Sequence, residues 1–219
     1  MQNRWIIAVL ACALTLPLWP TPLWTAPAFA DAGEEAYNRG DYAAAREAWQ
    51  KTAFNDPYAA YNLGVLFETG QGGDKDYRQA FKWYDEAGDD ARRMDNYTLY
   101  RQAVLMKTRI VIKNRDHDIL ADAAASISTL AMTTGDPEAL RLRGLLMEFQ
   151  ADYSIENNIR NADNPMRMAW GLLRVAADRG SKPAKAEASR VWAKIDNKKK
   201  ARESAAKLIK DELKRNGVR

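Results

Sequence analysis

Cysteine is nearly missing from this chain, with Cys12 as its one instance, and histidine occurs once, at His117. Cys12 falls in a segment that reads as a removable leader, so the remainder has no thiol. Disulfides, thiol catalysis and cysteine-bound metal are thereby excluded together, and stability must come from packing. Also missing is an unbroken apolar run of about 18 residues, the length a membrane span needs, because Pro17, Pro20, Pro22 and Pro27 interrupt the one candidate. Runs of β-branched residues are few, which disfavours strands. The signatures of zinc hydrolases, nucleophile elbows, phosphate-binding loops and dinucleotide sites are absent as well. Gly70-Gln71-Gly72-Gly73 lacks the Lys-Ser/Thr that completes a phosphate loop and reads as a turn between helices. No catalytic residue, cofactor or metal is expected.

What is present begins with a targeting pattern. Arg4 precedes the apolar run Trp5 to Leu14, and Ala28-Phe29-Ala30 puts small residues at the two positions a signal peptidase reads. Cleavage is expected after Ala30, with the mature protein in the periplasm in preference to secretion. Val9-Leu10-Ala11 before Cys12 admits a lipoprotein reading, against which stands the shortness of the segment after Arg4. Charge beyond residue 30 is uneven: residues 31–180 hold 19 basic and 24 acidic side chains, and residues 181–219 hold 13 and 5. The pI of 9.1 describes the tail.

Ala, Leu, Arg, Lys and Glu dominate the mature chain, and breakers recur at intervals suited to helices of moderate length. Helices are predicted near 32–39, 42–54, 57–69, 76–88, 92–113, 117–133, 137–150, 165–179, 182–195 and 197–215. Asp56-Pro57, Asp136-Pro137 and Asn164-Pro165 each place a capping side chain before a proline whose missing N–H costs nothing in a first turn. Gly70, Gly135 and Gly180 stand where chains leave helices.

Internal similarity decides the organisation. Asp41-Tyr42-x-x-Ala45-x-x-Ala48-Trp49-x-x-Thr52-Ala53 recurs about 35 residues later as Asp76-Tyr77-x-x-Ala80-x-x-Trp83-Tyr84-x-x-Ala87-Gly88. Asp56-Pro57-x-Ala59-x-x-x-Leu63-Gly64-x-Leu66-Phe67 matches Asp136-Pro137-x-Ala139-x-x-x-Arg143-Gly144-x-Leu146-Met147. Ala169-x-x-Leu172-Leu173-x-x-Ala176-Ala177 stands where Ala80-x-x-Trp83-Tyr84-x-x-Ala87-Gly88 stood. Small residues at Ala59, Ala80, Ala87, Ala139, Ala169 and Ala176, with Gly64 and Gly144, let backbones approach, and Leu63, Phe67, Trp83 and Tyr84 fill between them. One such pair cannot bury its apolar faces alone, so neighbours must stack and the ends need polar caps.

These residues resemble the Sel1-like repeat family, helical pairs related to tetratricopeptide repeats, as found in exported bacterial proteins. The best match runs from Ala59 to Asp90, departing at Gly73 and Asp74 and at Ala91, where a terminal glycine is usual. Ala36 to Tyr42 resembles an opening half repeat. The resemblance implies an all-α fold, a right-handed superhelical solenoid of antiparallel helix pairs. It divides the chain into a signal peptide (1–30), a solenoid (31–196) and a basic C-terminal capping helix (197–219). Within the solenoid lie a half repeat (31–55), the best repeat (56–91), a diverged repeat (92–135) and a degenerate repeat (136–186), the last with an insertion, Ala151 to Asn164, in place of the compact glycine loop. For residues 92–134 an inserted helical hairpin is the alternative, although Leu120, Ala123, Ala124, Ile127, Leu130 and Ala131 keep helical spacing.

In this family the first helix of each unit lines the concave face, which makes Tyr58, Tyr61, Asn62, Glu138 and Arg141 the candidate binding residues. The implied function is non-catalytic, the holding of a protein or peptide partner in an envelope regulatory or assembly role. The alternative is a peptidoglycan- or β-lactam-related enzyme of the cysteine-rich branch, whose paired cysteines are missing here. Trp49, Trp83, Tyr84 and Tyr42 occupy consensus positions and read as core. His117, between Asp116 and Asp118, reads as part of a helix start where acids satisfy free N–H groups. In the tail, Ala205, Leu208, Ile209 and Leu213 form an apolar stripe that would close the last repeat. Its basic residues could instead touch an anionic envelope surface. Export argues against nucleic acid.

Overall fold

The computed structural model describes residues 32–159, 163–195 and 198–218. The chain divides after Ala30, and all described residues belong to the second unit, Asp31–Arg219. The leader expected over 1–30, its cleavage point and the lipidation reading of Cys12 lie outside the described residues. Those described form ten helices: α1 (Ala32–Asn38), α2 (Tyr42–Thr52), α3 (Pro57–Thr69), α4 (Tyr77–Arg93), α5 (Tyr97–Asn114), α6 (Leu120–Thr134), α7 (Pro137–Glu156), α8 (Asp163–Asp178), α9 (Lys182–Ala193) and α10 (Lys198–Arg215).

Local chemistry sets most of the boundaries. Asp41, Asp56, Asp76 and Asp136 cap α2, α3, α4 and α7 by accepting from first-turn amides, at 2.9 Å from Tyr58 N and 2.8 Å from Ala139 N for the two Asp-Pro sites. Pro57 and Pro137 open α3 and α7 as predicted. Gly70 (φ 78°) and Gly135 (φ 66°) end α3 and α6 in the left-handed conformation, which a side chain would disfavour.

Several expectations are corrected. α4 runs past Gly88 to Arg93, because Ala91 replaces the stopping glycine; Asp95 (φ 56°) makes the left-handed turn instead, and the next helix starts at Tyr97, not at 92. α7 continues to Glu156, so the insertion after Ala151 begins as helix; its residues 160–162 lie outside the described residues. α8 begins at Asp163, which puts Asn164 inside the first turn instead of at the cap. α6 begins at Leu120 without a side-chain cap, so His117 precedes the helix; Asp116 serves the turn before it, accepting from Asp118 N at 2.9 Å.

The helices pack in chain order, each pair against the next: α3 on α4, α4 on α5, α7 on α8, with α5 also meeting α7. This all-α arrangement of helix pairs in series is a solenoid. The alanines of the repeat pattern, Ala59, Ala80, Ala87, Ala139, Ala169 and Ala176, are fully buried, as are Leu63 and Tyr84. Trp49 is buried, whereas Tyr42 and Trp83 are only half-buried against the core. The paired glycines do equivalent work. A Cβ on Gly64 would come within 2.7 Å of the Tyr84 ring, and one on Gly144 within 2.9 Å of Leu173 Cγ, the residue aligned with Tyr84. Arg143, aligned with buried Leu63, departs from the pattern: burial pushes its guanidinium pKa down, an effect Glu212 opposes, and its Nε and Nη1 find no hydrogen-bond partner among the described residues.

The chain ends differently from a regular repeat. α10 lies on α8, with Ala201, Ala205, Ile209 and Leu213 buried, while α9 and α10 make little contact with each other among the described residues. Gly171 permits this, since a Cβ there would come within 2.9 Å of Ala205 and Ile209. Leu208, predicted in the apolar stripe, instead points outward at 55% exposure. Beyond α10 the chain returns to the α6–α7 turn, where Asn216 Nδ2 donates to Met132 O at 3.1 Å and Val218 packs at Gly135.

Candidate binding groove on the first helices

The first helices α1 and α3 border a cavity of about 550 Å³, within the range of ligand pockets. Tyr58 and Asn62 line it from α3, and Tyr37 and Asn38 from α1. Tyr37 is fixed edge-on to Tyr42 (5.1 Å between centroids) and leans on Trp49 (5.8 Å). Tyr58 is 58% exposed, yet its position is set: Asn96, the residue that caps α5 through Leu99 N, donates from Nδ2 to Tyr58 Oη at 2.8 Å. The cavity therefore presents two carboxamides, able to donate to and accept from a peptide backbone, between phenol rings. Tyrosine adds large contact area at little conformational cost, which suits it to interfaces.

The five predicted residues divide into three groups. Tyr58 and Asn62 share the cavity. Tyr61 leans instead on Tyr84, with centroids 5.2 Å apart; burial raises its phenol pKa, Arg109 opposing. Glu138 and Arg141 are engaged with each other and with neighbouring first helices. Glu138 Oε1 accepts from Arg109 of α5 at 2.9 Å and from Arg141 Nη2 at 2.8 Å, and Arg141 Nη1 donates to Glu187 of α9 at 2.6 Å. Burial favours the neutral acid at Glu138, but Arg141 and Arg109 outweigh it and hold the carboxyl below its ordinary range. The same rank continues at Glu148, which is buried on α7 and accepts from Arg190 of α9, and from Lys194 at 2.9 Å; Asp152 takes Lys194 at 3.0 Å.

Sequence reasoning missed Tyr37, Asn38 and Glu34 as cavity residues. A signal was available: Ala36-Tyr37-Asn38 repeats as Ala60-Tyr61-Asn62, which puts the same pair of side chains on successive first helices. His117 lies away from this cavity, its ring 4.1 Å from Phe149 and 3.8 Å from Tyr153 by centroids. Among the described residues no three His, Cys, Asp or Glu side chains converge as metal ligands, and no helix is long and apolar enough to cross a membrane.

No curated protein matches the chain. The Sel1 repeat family matches residues 57–90, which take in α3, the glycine-bearing loop and most of α4. Capped by Asp56 and Asp76 and closed by Gly64 beneath Tyr84, that segment is one complete helix pair within the longer stack. Helices α3 and α4 thus make up a Sel1 repeat, set within an all-helical stack of helix pairs.

Proposed function

We propose that this protein is exported to the periplasm and there holds a protein or peptide segment, without catalysing a reaction, in the cavity between α1 and α3. Sel1 repeats mediate protein–protein interaction, which supports a protein partner. The observation that carries the site is the pairing of Asn38 and Asn62 with Tyr37 and Tyr58 around one cavity. Farther along the same face, α5, α7 and α9 are tied to one another by Arg109, Glu138, Arg141 and Glu187, so those side chains are already occupied. The open polar positions are at the beginning of the stack.

Site-directed photo-crosslinking in intact cells tests the reading. A photoreactive residue at position 58 should give a discrete protein adduct that Asn62→Ala weakens, and the same probe at exposed Lys82 on α4 should not. Adducts only from position 82, or equal adducts from both, would reject the site. Recovery of a mature N-terminus at Asp31 from the periplasmic fraction is expected; an uncleaved chain in the cytoplasm would reject export.

A further inference from the structure

A second cleft is lined by α8 and α9, at the part of the stack where α9 and α10 both lie on α8. The resulting cavity, about 490 Å³, is lined by Trp170, Arg174 and Asp178 of α8 and by Lys185, Ser189 and Trp192 of α9. Trp170 and Trp192 lie 4.8 Å apart between ring centroids and tilted by 40°. Trp170 is only 9% exposed, whereas Trp192 is half-buried and offers more of its surface. Ala177 and Ala188 keep the walls low and apolar.

The charges of this cleft are unbalanced. Asp178 is its one acid, and Lys210 of α10 occupies it at 3.0 Å. Arg174 stands 6.0 Å from the Trp170 ring centroid and has no acidic partner among the described residues; neither has Lys185. Some basic side chains elsewhere in the fold do find carboxylates, as Arg78 does at Asp116 and Asp118 and Lys194 at Glu148 and Asp152. Two unpaired cations beside two indoles suit a ligand that presents an anionic group next to a flat apolar ring: the anion meets a guanidinium or ammonium, and the ring meets Trp192.

We propose that the α8–α9 cleft binds a carboxylate attached to an aromatic group, a chemistry supplied either by a small aromatic acid or by the free C-terminus of a peptide ending in an aromatic residue. The cleft is independent of the α1–α3 cavity, sharing no lining residue with it.

The test uses the full chain labelled with 5-fluorotryptophan, its fluorine resonances assigned by single Trp→Phe replacements. Indole-3-acetate is titrated against indole-3-acetamide, and a short peptide ending in Phe as free acid against its C-terminal amide. The expected result is a saturable shift confined to Trp170 and Trp192, with the uncharged amide in each pair bound about tenfold more weakly. Arg174→Gln with Lys185→Gln should weaken the acids by a similar factor and leave the amides unchanged. Because both side chains are exposed, the double variant keeps its fold, which the unchanged Trp49 and Trp83 resonances verify. Tighter binding by the peptide assigns the ligand to a chain terminus, and tighter binding by indole-3-acetate to a small acid. Equal affinity for acid and amide, shifts centred on Trp49 or Trp83, or no saturable shift with either acid would overturn the proposal.

Discussion

Gly64 lies against the ring of Tyr84, so close that a methyl group on residue 64 would fall 2.7 Å from Cδ1 and Cε1. The ring has little freedom to yield: its hydroxyl donates to Glu68 at 3.1 Å and its edge meets Tyr61. Burial, with the Glu68 carboxylate adding to it, pushes the Tyr84 phenol pKa up, so the ring stays neutral and buried at any physiological pH. Gly64→Ala should therefore destabilise the fold by about 1–3 kcal/mol, the range for overpacking a filled core. Urea unfolding measures it, and the cost should shrink in a Tyr84→Ala background; an unchanged cost there would place the strain elsewhere.

Glu148 gives an asymmetric prediction. Its side chain is 4% exposed, whereas its partners Arg190 and Lys194 are 52% and 38% exposed. Removing the acid leaves two cations that water can solvate, so Glu148→Gln should cost about 1 kcal/mol. Removing both cations leaves a buried carboxylate uncompensated, and Arg190→Gln with Lys194→Gln should cost about 3 kcal/mol. Equal losses on denaturant unfolding would show that burial of the acid does not govern the cluster.

A pH dependence follows from Glu138. Its ordinary value is 4.5, and in the fold it is lowered, so the unfolded chain takes up the proton first as pH falls. The contribution is complete above the ordinary value and is lost as pH drops through the folded one. Glu138→Gln should thus flatten the dependence of stability on pH below about 4.5 and leave the slope near neutrality unchanged. Unfolding midpoints measured across the acid range check both parts.

Neighbouring residues of α10 should respond oppositely. Ile209 is fully buried and Leu208 is 55% exposed. Ile209→Ala should cost about 2–5 kcal/mol and Leu208→Ala less than about 0.5 kcal/mol. Similar losses at both would mean that α10 does not sit on α8 by the stripe described.

The sequence was most legible where one residue carries a local physical demand. Asp56-Pro57 and Asp136-Pro137 start helices and Gly70 and Gly135 end them because capping and left-handed backbone need little tertiary help. Gly64 and Gly144 were legible as packing positions because they recur in register. The boundaries of α4 and α7 were not, since continuing a helix past Gly88 or Ala151 depends on which neighbour covers it; Gly88, for one, packs against Ala103 of α5. The candidate site was half legible. Tyr58 and Asn62 could be placed on a first helix, but the engagement of Glu138 and Arg141 depends on Arg109 and Glu187, 29 and 46 residues away in the chain. The α8–α9 cleft left no trace in the sequence, because it depends on how α9 packs against α8.

The hydrogen bond from Asn216 to Met132 joins residues 84 apart, whereas the ties that link α5, α7 and α9 span 29 to 46 residues. A linear array frays from whichever end is looser. Here the last helix cannot peel away alone, since its release also frees the hinge between α6 and α7, and the two openings become a single, costlier event. Among the described residues, the opposite end of the stack has only the seven-residue α1 seated on α2. Melting should consequently run one way, from the amino end inward, with the carboxyl half as the last part to let go.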